Sequence, residues 1–142
     1  MTYTESRFLI FALDEEKYAL PLQDVEEIVE FQDIYPLPIA PSYYSGVMNW
    51  HGTPVPILDL AAFYKKASLN DGNKVLVLDR KIANLALRVH SVFGIVSGVV
   101  DSAPGAGGID GVENSVVVCG SKIAVLEIEK LLLLLEEGVN SR

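Results

Sequence analysis

The sequence predicts a mainly β protein made of two packed halves, each a small barrel-like sheet of about five strands. Half of the 142 residues are apolar, and they occur in short runs separated by polar turns. Such runs are typical of strands joined by hairpins. Parts of the pattern also occur twice along the chain, which indicates two related halves.

The repeat consists of two matches at nearly the same offset. Residues 18–29 (YALPLQDVEEIV) align with residues 85–96 (LALRVHSVFGIV), and residues 52–60 (GTPVPILDL) align with residues 120–128 (GSKIAVLEI). Each half alone is too small to bury an adequate core, so we expect the two to pack side by side. We expect one domain over residues 1–142. Its first half comprises residues 5–66 and 122–137, and its second half residues 73–121.

The first half begins with a predicted hairpin, in which apolar residues 8–13 and 18–22 flank a polar turn. After Pro21, apolar residues recur at helical spacing through Val29, so we expect a short amphipathic helix. The prolines that follow predict a loop or an extended edge, since proline lacks the amide hydrogen that a central strand needs. They are Pro36, Pro38 and Pro41.

A second hairpin is predicted from residues 46–50 and 55–58, with its turn at residues 51–53. Asp59 is a good cap for a short helix over residues 60–64. The polar residues 65–74 are then expected to connect the two halves.

The second half follows a similar order, with a hairpin over residues 75–78 and 83–89 and a strand over residues 95–100. Two further strands are predicted on either side of a turn at Gly120 and Ser121. A C-terminal helix over residues 128–137 should end at Gly138. Its five leucines, residues 131–135, are interpreted as packing against the body of the protein, or alternatively as a partner-docking face.

Charge and composition restrict the class of function. Eleven basic against 19 acidic residues give 11 − 19 = −8, which argues against nucleic-acid partners and anionic membrane surfaces. The chain has no run of about 18 apolar residues, and its N-terminus is unlike a signal peptide. The lone Cys119 fits a reducing compartment. We therefore expect a soluble cytoplasmic protein without membrane insertion.

No catalytic or metal-binding constellation emerges from the residues. The glycine-rich segment 104–111 lacks the ending of a phosphate-binding loop and is interpreted as a hairpin loop. His51, His90 and Cys119 are not at metal-ligand spacing, and His90 is expected to be a hydrogen-bonded structural histidine. Glu26, Glu27 and nearby carboxylates form a solvated face. The sequence thus predicts neither an enzyme nor a bound cofactor.

Aromatic residues around the proline-rich segment are the remaining candidates for function. Aromatic side chains on the loops of a β scaffold often anchor protein partners, although these residues fit equally well as filling between the two halves. They are Tyr35, Tyr43, Tyr44 and Trp50.

The chain resembles the CheW-like domain family, the coupling proteins of bacterial chemotaxis. Residues 46–60 (GVMNWHGTPVPILDL) are similar to the family segment G-V-I-N-L-R-G-x-x-x-P-V-x-D-L. Residues 8–11 with 18–22 and 25–28 resemble its opening, F-x-L…Y-x-L-P-I…V-x-E-I. Residues 38–41 (PIAP) and the closing residues 123–132 (IAVLEIEKLL) extend the likeness over almost the whole chain.

This resemblance implies two packed five-stranded SH3-like barrels with short helices and a C-terminal helix. It implies an adaptor without catalytic activity, which links the cytoplasmic tips of methyl-accepting receptors to the regulatory domain of the histidine kinase CheA, itself CheW-like. The positions that it assigns to receptor binding are Val25, Glu27, Gly46, Asn49 and His51.

Three positions depart from the family pattern. His51 and Trp50 stand where the family has arginine and leucine, and Ala61 stands where arginine commonly follows Asp-Leu. Because histidine is mostly neutral near pH 7, its pairing with Glu27 should be weaker and pH-dependent. Two alternatives to the adaptor remain. One is a module that localises other signalling proteins without binding receptors, and the other is a sensor or enzyme with its pocket between the halves.

Overall fold

A computed structural model of the chain describes residues 6–31, 34–36, 41–64, 74–101, 114–118 and 121–140. The helices of this described part are a 3-10 turn at Leu22–Asp24, α1 (Leu60–Phe63) and α2 (Ile128–Asn140). Its strands in the N-terminal half are β1 (Ser6–Leu13), β2 (Glu16–Pro21), β3 (Val25–Glu30), β4 (Tyr44–Trp50) and β5 (Thr53–Asp59). Its later strands are β6 (Lys74–Leu78), β7 (Ala86–Val89), β8 (Ser91–Asp101), β9 (Asn114–Val118) and β10 (Ser121–Val125).

The strands form two five-stranded sheets, which confirms the mainly β prediction. One is a closed barrel in the order β1-β2-β10-β9-β8, in which β1 also pairs with β8. The other has the order β3-β6-β7-β5-β4. An isolated bridge joins Tyr35 to Val47 of β4, so the chain is extended beside this strand at Tyr35, while residues 37–40 of the proline-rich segment lie outside the described residues.

The expected division of the chain is wrong, because the two halves exchange strands. The barrel combines β1 and β2 with β8 to β10, whereas the second sheet takes β3 to β7 from the middle of the chain. The repeat itself is nevertheless visible in the pairing. Strand β2 runs parallel to β10 in the barrel, and β7 runs parallel to β5 in the other sheet. The chain therefore crosses between sheets after β2 and again after β7.

The predicted helix after Pro21 is also wrong. Only Leu22–Asp24 is helical, and residues 25–30 form β3, which pairs with β6. Burial alternates along β3, so that Glu26, Ile28 and Glu30 are the exposed residues. The β-branched side chains of this segment favour a strand, and the partner strand that stabilises it is distant in sequence, since Val25 pairs with Leu78.

The predicted hairpins over β1–β2, β4–β5, β6–β7 and β9–β10 are confirmed by their antiparallel pairing. Asp59 caps α1, since its Oδ1 accepts a hydrogen bond from the Ala62 amide at 3.1 Å. Helix α2 continues through Gly138 and ends at Asn140, so its predicted end at Gly138 is slightly early. The expected connector at 65–73, the glycine-rich segment at 104–111 and Cys119 lie outside the described residues.

A central core lies between the two sheets and is shared by both. Strand β1 contributes Leu9, Phe11 and Leu13 to this central core, while its alternate residues Phe8 and Ile10 lie inside the barrel. Strand β6 behaves in the same way, with Leu76 and Leu78 in the central core and Val75 and Val77 in a separate cluster of the second sheet. Both faces of these strands are buried, which explains their uninterrupted apolar sequences.

Helix α2 covers one side of the central core. Leu131 and Leu135 are buried in it, whereas Leu133 points outwards and is 61% exposed. The packing interpretation of the leucine run therefore holds for Leu131 and Leu135. None of the helices in the described ranges is long and apolar enough to cross a membrane.

Gly46 is needed where the chain passes closely over β4. Its φ of +147° lies in a region that favours glycine, and a Cβ atom there would lie 2.5 Å from the carbonyl oxygen of Tyr35. That carbonyl accepts a hydrogen bond from the Val47 amide at 2.8 Å. Gly46 thus allows the Tyr35 segment to pair with β4.

Replacing Leu76 by alanine should destabilise the protein by about 3 kcal/mol, because loss of a fully buried side chain leaves a cavity in the central core. Urea unfolding followed by circular dichroism measures this loss. The matched control is Leu133→Ala on the outer face of α2, which should change the free energy of unfolding by less than about 0.5 kcal/mol. Equal effects of the two substitutions would contradict the assigned core.

Gly46→Ala should cost about 3 kcal/mol in the same assay, because backbone strain and a steric clash add at this position. Gly52→Ala is the control, since Gly52 also has a positive φ but no atom lies within 4 Å of the point that an added Cβ would occupy. It should cost only about 1 kcal/mol, the strain alone. A Gly46→Ala protein as stable as Gly52→Ala would show that the close approach to Tyr35 does not exist.

Candidate functional site

The turn between β4 and β5 projects His51 from the tip of a tight hairpin. Trp50 pairs with Thr53, and the two intervening residues His51 and Gly52 have φ values of +48° and +82°. Positive φ at both positions is the requirement of a type I′ turn, whose twist matches that of the flanking strands. The Gly52 amide also donates a hydrogen bond to Oδ1 of Asn49 at 2.8 Å. Asn49 therefore stabilises the turn that holds His51 in place.

Glu27 on β3 lies against this hairpin. The indole N–H of Trp50 donates a hydrogen bond to Oε2 of Glu27, and Nε2 of His51 lies 3.3 Å from the same oxygen. The hydrogen bond from Trp50 lowers the pKa of the Glu27 carboxyl, partial desolvation opposes this effect, and His51 lowers the pKa further. Glu27 is consequently held as a carboxylate to lower pH than an ordinary glutamate.

Arg80, in the turn between β6 and β7, reaches the same place from a third element. Its Cζ lies 4.9 Å from the centroid of the Trp50 ring, and its Nη2 donates a hydrogen bond to Oγ1 of Thr53 at 2.8 Å. Sequence reasoning missed Arg80, because nothing local to a polar turn indicates which distant hairpin it contacts. We call Glu27, Trp50, His51, Thr53 and Arg80 the rim cluster.

The other predicted receptor-binding residues have different surroundings. Val25 packs against the central core, and Gly46 is buried beneath the Tyr35 segment. Asn49 is exposed and lines a shallow depression of about 220 Å³ beside Tyr35. Of the five residues that the family resemblance indicates, the structure thus brings Glu27 and His51 into contact and places Asn49 at the same hairpin.

The four candidate aromatics divide into two groups. Tyr43 and Tyr44 pack against the central core, and the Tyr43 ring lies edge-on to Phe63 with centroids 5.0 Å apart. Trp50 belongs to the rim cluster, and Tyr35 is 69% exposed. Trp50 and Tyr35 therefore remain accessible for partner contacts, whereas Tyr43 and Tyr44 mainly fill space.

The departure at Ala61 affects the interior of the protein. Ala61 lies in α1 and is fully buried, so it belongs to the packed interior and not to an exposed surface. His90 is also structural, because its Nδ1 accepts a hydrogen bond from the Asp14 amide at 2.6 Å, as expected for a satisfied histidine. In the described ranges, no three His, Cys, Asp or Glu side chains are grouped so that they could hold a metal ion.

A crevice of about 310 Å³ lies where the end of β2, the β6–β7 turn and the start of α2 meet. Asp24 lines this crevice. Burial raises the pKa of its carboxyl most, and the charges of Asp79 and Glu129 raise it further. Glu127, which also lines it, forms an ion pair with Lys130 at 2.9 Å. Both charges that act on Asp24 are carboxylates, so repulsion between like charges adds to the effect of burial.

The outer face of the barrel carries apolar side chains on neighbouring strands. Phe93 and Ile95 of β8 are 58% and 54% exposed, and Val117 of β9 is exposed as well. Nζ of Lys17 lies 4.6 Å from the centroid of the Phe93 ring. We call Phe93, Ile95 and Val117 the outer barrel strip. Phe93 and Ile95 are alternate residues of β8, and Val117 lies opposite Val99, four residues further along that strand. Large exposed apolar residues on one face are typical of protein-binding surfaces.

Comparison with known proteins gives relatives that include chemotaxis proteins. The chain is 31% identical over 140 residues to the chemotaxis protein CheW of Treponema pallidum, which covers 88% of this chain and 81% of that protein. It is 32% identical over 95 residues to the chemotaxis protein CheW of Klebsiella aerogenes, covering 66% of this chain and 54% of that one. A shorter match, 31% identical over 68 residues, is to protein FrzA of Myxococcus xanthus, covering 48% and 42% of the two chains.

The fold has a counterpart among solved structures. The crystal structure of the scaffolding protein TtCheW from Thermoanaerobacter tengcongensis matches with a TM-score of 0.73 and 21% sequence identity. The match covers 87% of this chain and 90% of that one. The family model of the CheW-like domain matches residues 7–136, which include both sheets and most of α2. The chain therefore belongs to the CheW-like domain family.

Proposed function

We propose that this chain is an adaptor without catalytic activity that couples methyl-accepting chemotaxis receptors to the histidine kinase CheA. The observation that carries this proposal is the match to the CheW-like domain over residues 7–136, together with CheW relatives over most of the chain. The adaptor acts in the cytoplasm, where receptor tips and kinase meet. Coupling then requires two binding surfaces on one rigid body and no covalent chemistry.

The receptor side is assigned to the rim cluster and the adjoining Asn49. Three separate elements, β3, the β4–β5 turn and the β6–β7 turn, hold its charged and polar groups in contact with each other. A site fixed in this way loses little conformational freedom when a partner binds. The hydrogen bond from Trp50 and the nearby His51 lower the pKa of the Glu27 carboxyl, so Glu27 stays charged near neutral pH.

The kinase side is assigned to the outer barrel strip. The regulatory domain of CheA is itself CheW-like, so a β-rich half can dock against a similar half. Phe93 and Ile95 supply exposed apolar area for such contact, and they lie on the barrel, whereas the rim cluster belongs to the other sheet. The two partners can therefore bind at the same time.

The alternatives find less support. A sensor or enzyme needs a pocket between the halves, but the side chains of the central core fill most of the space between the sheets, and the crevice beside Asp24 lies at the edge of that core. A module that localises other proteins would keep the outer barrel strip while losing affinity for receptors. The departures at Trp50 and His51 make receptor binding the discriminating measurement.

Calorimetric titration against the isolated regulatory domain of the cognate CheA should give a dissociation constant in the micromolar range or tighter. The double variant Phe93→Ser/Ile95→Ser should weaken this binding by roughly tenfold or more, since it removes the apolar centre of the surface. The control Leu133→Ser removes an equally exposed apolar residue from α2 and should bind like the native protein.

No binding by a folded native sample would contradict kinase coupling. Equal weakening by Leu133→Ser would contradict the assignment to the outer barrel strip. Thermal unfolding of each variant shows that the samples remain folded.

His51→Arg should strengthen binding to the isolated receptor tip by roughly threefold to tenfold, because it places a permanent cation beside Glu27. Fluorescence anisotropy with a labelled receptor fragment measures both affinities, and equal affinity of the native protein and His51→Arg would contradict the role of His51.

A further inference from the structure

The side chain of Arg80 is held in position although the residue is exposed. Its guanidinium contacts the Trp50 ring on one side and donates one hydrogen bond, to Thr53, on the other. The backbone is held as well, since the Arg80 amide lies 3.4 Å from Oε2 of Glu26. An exposed arginine usually samples many rotamers, so these contacts pre-order the group.

The contacts leave most of the binding capacity of Arg80 available. A guanidinium carries five N–H donors in a planar fork, and Thr53 accepts from one of them. Glu27 is directed towards Trp50 and His51, and in the described part of the chain no carboxylate oxygen lies within ion-pair distance of the Arg80 guanidinium. Within the described residues, the guanidinium is therefore oriented by neutral groups, and no carboxylate forms an ion pair with it.

We propose that Arg80 is a recognition residue that binds an acidic side chain of the receptor, an inference that rests on the proposed receptor-binding role. Arginine pairs with carboxylates through two parallel hydrogen bonds, which suits a planar group already fixed by stacking. The hairpin tip itself carries His51, which lacks the permanent charge of arginine. Arg80 thus supplies the permanent cation of this surface from a different turn.

Trp50 connects this recognition role to the rest of the rim cluster. Its ring lies beneath Arg80, while its indole N–H holds Glu27. One side chain therefore separates a carboxylate from a guanidinium that would otherwise be free to pair with each other. This arrangement keeps the guanidinium directed at a partner.

The test compares Arg80→Gln with Lys81→Gln, which removes the same charge from the next residue of the same turn. Lys81 is exposed, its backbone amide donates a hydrogen bond to Oδ1 of Asp79, and it takes no part in the contacts that define the rim cluster. Binding to an isolated cytoplasmic receptor tip from the same organism is measured at about 50 and about 200 mM NaCl. Arg80→Gln should lose roughly tenfold in affinity at the lower salt, and its affinity should depend less on salt. Lys81→Gln should change affinity by less than about twofold.

Arg80→Lys separates charge from geometry, because lysine keeps the charge without the planar fork. It should recover only part of the lost affinity while restoring most of the salt dependence. A merely structural role of Arg80 would lower affinity without changing the salt dependence, and that result would overturn the inference. Equal binding by the native protein and Arg80→Gln would overturn it too, with the proposed function intact. If the native protein binds no receptor tip, the proposed function and this inference both fail.

Discussion

The structure depends on strands that are buried on both faces. In β1 and β6, one set of alternate side chains fills the central core, and the other fills the interior of the strand's own sheet. A shift of register by one residue would exchange these two sets. In β6 it would put valines where leucines fill the central core, and leucines where valines fill the second cluster, so neither would be well packed. Positions of the hairpins and turns, including those of the rim cluster, follow from this fixed register.

Strand exchange between the two sequence halves explains what could and could not be predicted about the fold. Hairpins and the Asp59 cap depend on residues close together in sequence, so their local sequence patterns were sufficient to predict them. The partner of β3 is β6, across an intervening hairpin, and no local pattern identifies it. The repeat correctly indicated two equivalent sets of strands, but equivalence does not say which sheet each strand joins.

The candidate site was predictable to a similar degree. Family resemblance indicated Glu27 and His51, and these two side chains are in contact. The role of Trp50 as donor to Glu27 and as a surface beneath Arg80 could not be inferred, because it depends on how three separate elements converge. Gly46 is the opposite case. The family resemblance indicated it for receptor binding, but the structure gives a steric reason for glycine there, the close approach of the Tyr35 carbonyl.

The parallel pairing of β2 with β10 also has a consequence for synthesis on the ribosome. The second sheet requires only residues 25–89, so its strands can assemble while later residues are still being added. The barrel must wait for β10, and until then the apolar residues of β1 and β2 lack their final neighbours. A chain built in this way has an interval during translation in which its earliest strands are exposed, which makes them natural targets for chaperones.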